Sequence, residues 1–190
     1  MPQISPKEFY ALPLRVHAFL ANVPLHDVWA VDLPRQSSRV TLAEFHRRPR
    51  KANGRVSPPQ LLVRLRLFLG RIFQLETEPK DAAARSFAGR LTQEDRDRSS
   101  VEAGTRDGAF HFIYRFENEQ LVELQNRTAH AAALSALAET ADGYRYYFAV
   151  YVANVSWFTP IYMALIDPFR KWIVYPALLK NIRATWLEST

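Results

Sequence analysis

Tyr114, Glu123 and His130 are the residues whose types and positions best suit proton-transfer chemistry in this sequence. Each falls in an alternating, β-type stretch. A histidine beside a carboxylate is tuned toward neutrality, the range in which an acid–base pair works. If these side chains converge in one cleft, they can orient a ligand or serve as acid and base. If they face solvent or a packed interior, they are structural. Strand register decides, because a slip of one residue sends every side chain to the opposite face. His111, His130 and Glu123 also carry metal-ligand atoms. No His-x-His or His-x-x-x-His pair supports a site, so no metal is expected. No Gly-x-Ser-x-Gly turn exists to expose a nucleophilic serine. The chain has no cysteine, which excludes thiol catalysis, disulfide frameworks, zinc fingers and iron–sulfur clusters. No cofactor is expected.

A second set of residues suits apolar binding. Tyr144, Tyr146, Tyr147, Phe148, Tyr151, Trp157 and Phe158 are numerous for one short stretch; core packing accounts for most of them, and a cleft for an apolar or aromatic ligand would account for the excess. Ala129, Ala131, Ala132, Ala133, Ala136 and Ala138 crowd a neighbouring stretch. Small side chains on a strand facing a helix leave room or permit close contact. Strand alternation puts Ala129, Ala131 and Ala133 on one face, and His130, Ala132 and Leu134 on the other. One of these faces is expected to line a cavity. Tyr114, Glu123, His130, Ala131, Ala132 and Tyr147 are therefore the candidate ligand-binding residues, and the expected partner is an apolar or amphipathic small molecule.

Charge offers a different chemistry. The net charge is +6, and the first 75 residues hold twelve basic against four acidic side chains. The excess peaks at Arg47, Arg48, Arg50, Lys51 and Arg55, and Arg64 and Arg71 lie beyond them on an expected helix. Such a patch attracts an anionic surface, lipid or nucleic acid. It equally describes a solvated loop, and no nucleic-acid-binding module pattern accompanies it.

These residues need elements to position them. Leu25 to Leu33 alternates as a strand ended by Pro34. A short helix is expected from Thr41 to about Arg48, stopped by Pro49. Pro58-Pro59 opens a second helix to Phe73 with a broad apolar stripe. Glu76 to Asp97 shows no clear period. Val101 to Ala103 reads as a short strand. Asp107-Gly108 and Asp142-Gly143 are hairpin signals. They delimit strands at Ala109–Phe116, Glu119–Gln125, Thr128–Ala138 and Tyr144–Val155. Thr159-Pro160 and Asp167-Pro168 each look like a cap with a first-turn proline, and so each predicts a helix start. Phe169, Trp172, Ile173, Pro176, Leu179, Ile182 and Trp186 would then share one buried face, with Pro176 kinking the helix.

The expected fold is α+β: a curved antiparallel sheet gripping a long C-terminal helix, with two additional short helices after the first strand. Its 190 residues, 48% of them hydrophobic, suit a single domain, an extension over 1–23 preceding a core over 24–187. Tyr146 to Ile166 is uncharged and long enough to span a bilayer. Asn154, Ser156, Thr159 and Pro160 in its middle instead predict a strand and then a helix. No secretory signal pattern opens the chain, so a cytoplasmic location is expected.

Five stretches carry a family resemblance: His26-Asp27-Val28-Trp29-Ala30-Val31, Leu61 to Leu75, Glu117-Asn118-Glu119-Gln120-Leu121, Asn126-Arg127-Thr128-Ala129-His130-Ala131, and Tyr162-Met163 through Asp167-Pro168-Phe169-Arg170 to Val174-Tyr175-Pro176. Over roughly Pro24 to Trp186 the chain resembles an uncharacterised, mostly bacterial family. That family lies near the helix-grip superfamily of START, polyketide-cyclase and birch-pollen-allergen domains. Its members occur alone or fused behind a short-chain-dehydrogenase-like NAD-binding domain. No GxGxxG motif is present here. The resemblance implies a small α+β domain with an apolar cavity and no established reaction.

Overall fold

The structure, a computed structural model, describes residues 3–47, 82–125, 130–155, 157 and 159–188. The helix expected at Pro58 to Phe73, the cations Arg48, Arg50, Lys51, Arg55, Arg64 and Arg71, and the candidates Ala129 and Phe158 lie outside the described residues.

Two one-turn helices, α1 (Pro6–Tyr10) and α2 (Arg15–Phe19), precede β1 (Leu25–Pro34) and α3 (Leu42–Arg47). Thr41 and Glu44 start α3 as a reciprocal capping box: the Thr41 Oγ1 accepts from the Glu44 N–H at 3.1 Å, and the Glu44 carboxylate accepts from the Thr41 N–H at 2.8 Å. After α4 (Ala82–Arg85) and a 3₁₀ turn (Phe87–Arg90) comes α5 (Gln93–Arg98). A second capping box, Thr92 with Asp95, starts α5 inside the stretch that shows no sequence periodicity. Strands β2 (Arg106–Asp107), β3 (Phe110–Arg115), β4 (Glu119–Gln125), β5 (His130–Thr140) and β6 (Gly143–Ala153) form an antiparallel meander. β1 joins it beside β6, giving the order β1-β6-β5-β4-β3-β2 in a curved, open sheet. The chain ends in α6 (Thr159–Phe169), a π-turn (Arg170–Val174) and α7 (Tyr175–Leu187). Tyr146 to Ile166 is therefore strand, connection and helix. Among the described residues no helix is long and apolar enough to cross a membrane.

Both sheet faces are covered. On one, α1, α2 and the 87–91 segment bury Phe9, Val16, Leu20, Phe87 and Leu91 against Leu121, Ala132, Leu134, Ala136, Tyr147 and Tyr151. Residues before the first strand thus belong to this core. On the other, α3 and the C-terminal helices bury Phe45, Leu179, Ile182 and Trp186 against Trp29, Val31, Leu33, Tyr144 and Tyr146. Each fully buried side chain of this size contributes about 1.5–3 kcal/mol.

Three expectations are corrected. Val101 to Ala103 is turn, not strand; the backbone partner of β3 here is β2. Second, β3 does not alternate throughout. A bulge between Phe112 and Tyr114 turns Ile113 and Tyr114 toward the same core. Third, the C-terminal helix is not phased as the apolar spacing implies. Asp167-Pro168 starts no helix, because α6 runs through Pro168. Leu179, Ile182 and Trp186 are buried as expected, but Trp172 is 79% exposed and Ile173 47%. The cause is the π-turn, in which the Tyr175 N–H bonds the Arg170 carbonyl five residues back. One extra residue in a turn rotates the rest of the helix by roughly 100°. Pro176, which has no N–H to give, sits where the ladder is already interrupted.

Candidate functional site

A buried ionic cluster forms where the start of β1 meets the junction of α6 and the π-turn. A bulge at Leu25/Asp27 begins the regular pairing of β1. From there Asp27, Trp29, Val31 and Leu33 point toward the C-terminal helices. Asp27 is fully enclosed, and its Oδ2 lies 3.5 Å from Arg170 Nη2. The Arg170 guanidinium also donates to Asp167 Oδ1 at 3.0 Å and to the Tyr175 hydroxyl. Asp167 Oδ1 is 2.8 Å from His26 Nε2, and its other oxygen is 3.1 Å from Lys171 Nζ. The Trp29 and Tyr175 rings pack at 5.5 Å. The inner members are Asp27, Arg170 and Tyr175; His26, Asp167 and Lys171 form a partly open rim.

Burial pushes the Asp27 carboxyl above its ordinary value, against the pull of Arg170 and His26. Burial acts the same way on Asp167, but hydrogen bonds from His26 and Lys171 outweigh it and hold this carboxyl below its ordinary value. Burial likewise raises Tyr175, so its hydroxyl stays protonated. Asp27 Oδ1 and the Trp29 indole N–H have no hydrogen-bond partner among the described residues. This leaves one acceptor and one donor at the sheet surface. His26, Asp27 and Asp167 also bring ligand-type atoms within 4.8 Å of one another. Arg170 and Lys171 already neutralise those carboxylates, so a divalent ion would meet two adjacent cations there.

The cluster continues into an apolar row. Direct cross-strand partners run from Asp27 to Val150, Ala133, Val122 and Phe112. Beside it run Val152, Ala131 and Leu124, and on the other flank Trp29, Phe148, Ser135 and Gln120. Val122, Leu124, Ala131, Ala133, Ser135 and Phe148 are all half-buried. On the opposite face of the same strands, Leu121, Glu123, His130, Ala132, Leu134 and Ala136 are fully buried.

The residues nominated from sequence divide between these faces. Ala131 lies beside the apolar row. Tyr114, Glu123, His130, Ala132 and Tyr147 lie on the face covered by α1, α2 and the 86–98 segment. Glu123 and His130 do meet: His130 Nε2 is 2.8 Å from Glu123 Oε2. The same carboxylate accepts from the Ser86 hydroxyl and, at 3.0 Å, from the Phe87 N–H, while His130 stacks on the Phe87 ring at 3.8 Å. Burial opposes ionisation of Glu123, but the hydrogen bonds from His130, Ser86 and Phe87 hold it below its ordinary value. Tyr114 does not join them. Its hydroxyl donates to Glu119, whose carboxylate also caps α2 through the Arg15 and Val16 N–H groups at 2.8 and 2.9 Å. Both arrangements tie surface segments to the sheet through satisfied hydrogen bonds. Of the basic run, Arg47 ends α3 and is exposed.

In the sequence, His26-Asp27 and Asp167 to Arg170 stand out only as marks of resemblance, with Asp167 as a helix cap. Two charged motifs 141 residues apart, each beside aromatic residues, are the signal. Their meeting depends on β1 pairing with β6, which places the start of β1 beside the helix after β6. A search of curated proteins finds no match to the chain. A family model described as "Protein of unknown function (DUF2867)" matches residues 19–177, a span that includes β1, the whole meander and the Asp27–Arg170 cluster. The chain is a member of the DUF2867 family.

Proposed function

We propose that this chain is a binding domain for an amphipathic small molecule. The apolar body lies along the Val122–Ala133–Val150 row and the polar end meets the Asp27–Arg170 cluster. One observation carries the reading: the row of cross-strand partners that begins at the buried charge of Asp27, passes the buried Val150 and continues over the half-buried Ala133 and Val122. A ligand pocket needs this combination of a mostly apolar lining and a few convergent polar groups. The order of elements, with a meander and then a long C-terminal helix, supports a relationship to the helix-grip domains, whose sheets hold ligands against such a helix.

Mass spectrometry of the purified chain under native and denaturing conditions tests the reading, together with uptake of the fluorescent amphiphile anilinonaphthalene sulfonate. A reproducible extra native mass, or saturable probe uptake abolished by Ala131→Leu and Ala133→Leu without loss of thermal stability, is the expected result. Ala132→Leu, on the tightly packed opposite face, should instead cost roughly 1–3 kcal/mol by overpacking. A chain that shows neither extra native mass nor probe uptake, or uptake that is unchanged by leucine at Ala131 and Ala133, would overturn the proposal.

A further inference from the structure

The outer face of the C-terminal helix is apolar where solvent contact would favour charge. Ile161 is 52% exposed, Leu165 60% and Trp172 79%, and Pro168 is exposed between them. At 3.6 residues per turn, with the extra residue of the π-turn, these four side chains fall in one narrow stripe. The charged residues of this stretch are held by the cluster instead: Asp167 meets His26, Arg170 reaches Asp27, and Lys171, on the partly open rim, pairs with Asp167. The stripe itself therefore carries no charge as far as Trp172. Beyond it the same ridge continues through Lys180, Arg183 and Leu187, all exposed. The ridge is thus apolar along its first half and basic along its second, with no carboxylate between Ile161 and Leu187 except Asp167.

We propose that this ridge docks the protein onto an anionic lipid bilayer. Ile161, Leu165 and Trp172 would enter the interface, and Lys180 and Arg183 would meet the lipid head groups. Two features favour lipid over a protein partner. The charges on the ridge are all positive, complementary to anionic head groups, and a tryptophan closes the apolar half, where its amphipathic ring is favoured at a bilayer interface. The inference is independent of the ligand reading, because none of these residues lies in the cluster or on the apolar row.

The test uses the full chain with vesicles of phosphatidylcholine alone or mixed with phosphatidylserine. Expected is co-sedimentation with the mixed vesicles and a blue shift of tryptophan emission that Trp172→Ala removes. Leu165→Asp should abolish sedimentation. Lys180→Ala with Arg183→Ala should weaken it about thirtyfold, since each surface cation is worth about a factor of five. All these positions are exposed, and unchanged thermal melts will separate lost docking from lost folding. Absence of sedimentation in the parent chain, or sedimentation unaffected by these variants, overturns the proposal. So does a dimer in light scattering that Leu165→Asp dissociates, which would make the ridge a contact between copies.

Discussion

Asp27 and Arg170, 143 residues apart in sequence, face each other at 3.5 Å inside the protein, and Asp27 keeps one carboxylate oxygen without a partner among the described residues. The pair is looser than the Asp167 contact to the same guanidinium. Burial raises the Asp27 carboxyl, so its charged form is less favourable in the folded chain than in the unfolded one. Its contribution is therefore greatest at low pH. That contribution declines as pH rises from the unfolded value toward the folded one.

Removing the guanidinium should expose this sign. Arg170→Met leaves Asp27 buried without its cation and should cost about 3–5 kcal/mol near neutral pH. Near pH 4 the loss should be markedly smaller, because a protonated Asp27 needs no counter-charge. Adding Asp27→Asn should recover part of the neutral-pH loss. Urea melts at the two pH values check this, and equal losses at both would contradict it.

Asp95 carries the opposite sign. Its hydrogen bond with Arg15, at 2.8 Å and helped by the Thr92 capping box, holds the carboxyl down at about 2. A lowered folded value gives stability that is complete above the unfolded value and is lost as pH falls from about 4 to about 2. Asp95→Asn should destabilise by roughly 2 kcal/mol at neutral pH, the equivalent of that shift. The difference from the parent should vanish near pH 2, as read from thermal melts across that range.

Local chemistry made most of the elements legible. Asp107-Gly108 does turn the chain, with Gly108 at a φ of 61°. The alternation of β4 and β5 correctly separates Ala131 and Ala133 from His130, Ala132 and Leu134. Which face meets which helix was not legible, because alternation defines two faces without naming their neighbours. Five of the six nominated ligand residues consequently lie under α1, α2 and the 86–98 segment rather than under the C-terminal helix. The Asp27–Arg170 cluster was hidden for the same reason: tertiary pairing, not spacing, creates it. Bulges and π-turns add one residue and shift the phase, and neither Phe112/Tyr114 nor Arg170–Val174 announces that insertion by composition.

Glu123 should behave as a tether rather than as an acid. Its carboxylate holds the Ser86 hydroxyl, the Phe87 N–H and His130 at once. Glu123→Ala should destabilise by about 3–5 kcal/mol and speed amide exchange of Phe87 and its neighbours. Glu123→Gln keeps an acceptor and should cost about 1–3 kcal/mol. Unchanged exchange at Phe87 in the alanine variant would rule out the tether.

Trp172 and Trp186 test the phase shift introduced by the π-turn. The apolar spacing of the sequence puts both on one buried face, whereas the structure exposes the first and encloses the second completely. Trp186 packs on Phe45 and Tyr144 at 5.4 and 5.1 Å, and its indole N–H donates to the Pro34 carbonyl at 2.9 Å. Trp186→Ala removes a large core side chain and a hydrogen bond together, and should cost about 3–5 kcal/mol. Trp172→Ala touches neither core and should stay within about 0.5 kcal/mol of the parent. Equilibrium denaturation of the two variants gives the contrast directly. Comparable losses at both positions would mean that the helix continues as a regular α-helix through Arg170, with Trp172 and Ile173 buried against the sheet. The exposed apolar ridge would then not exist, so this pair of measurements should precede any vesicle experiment.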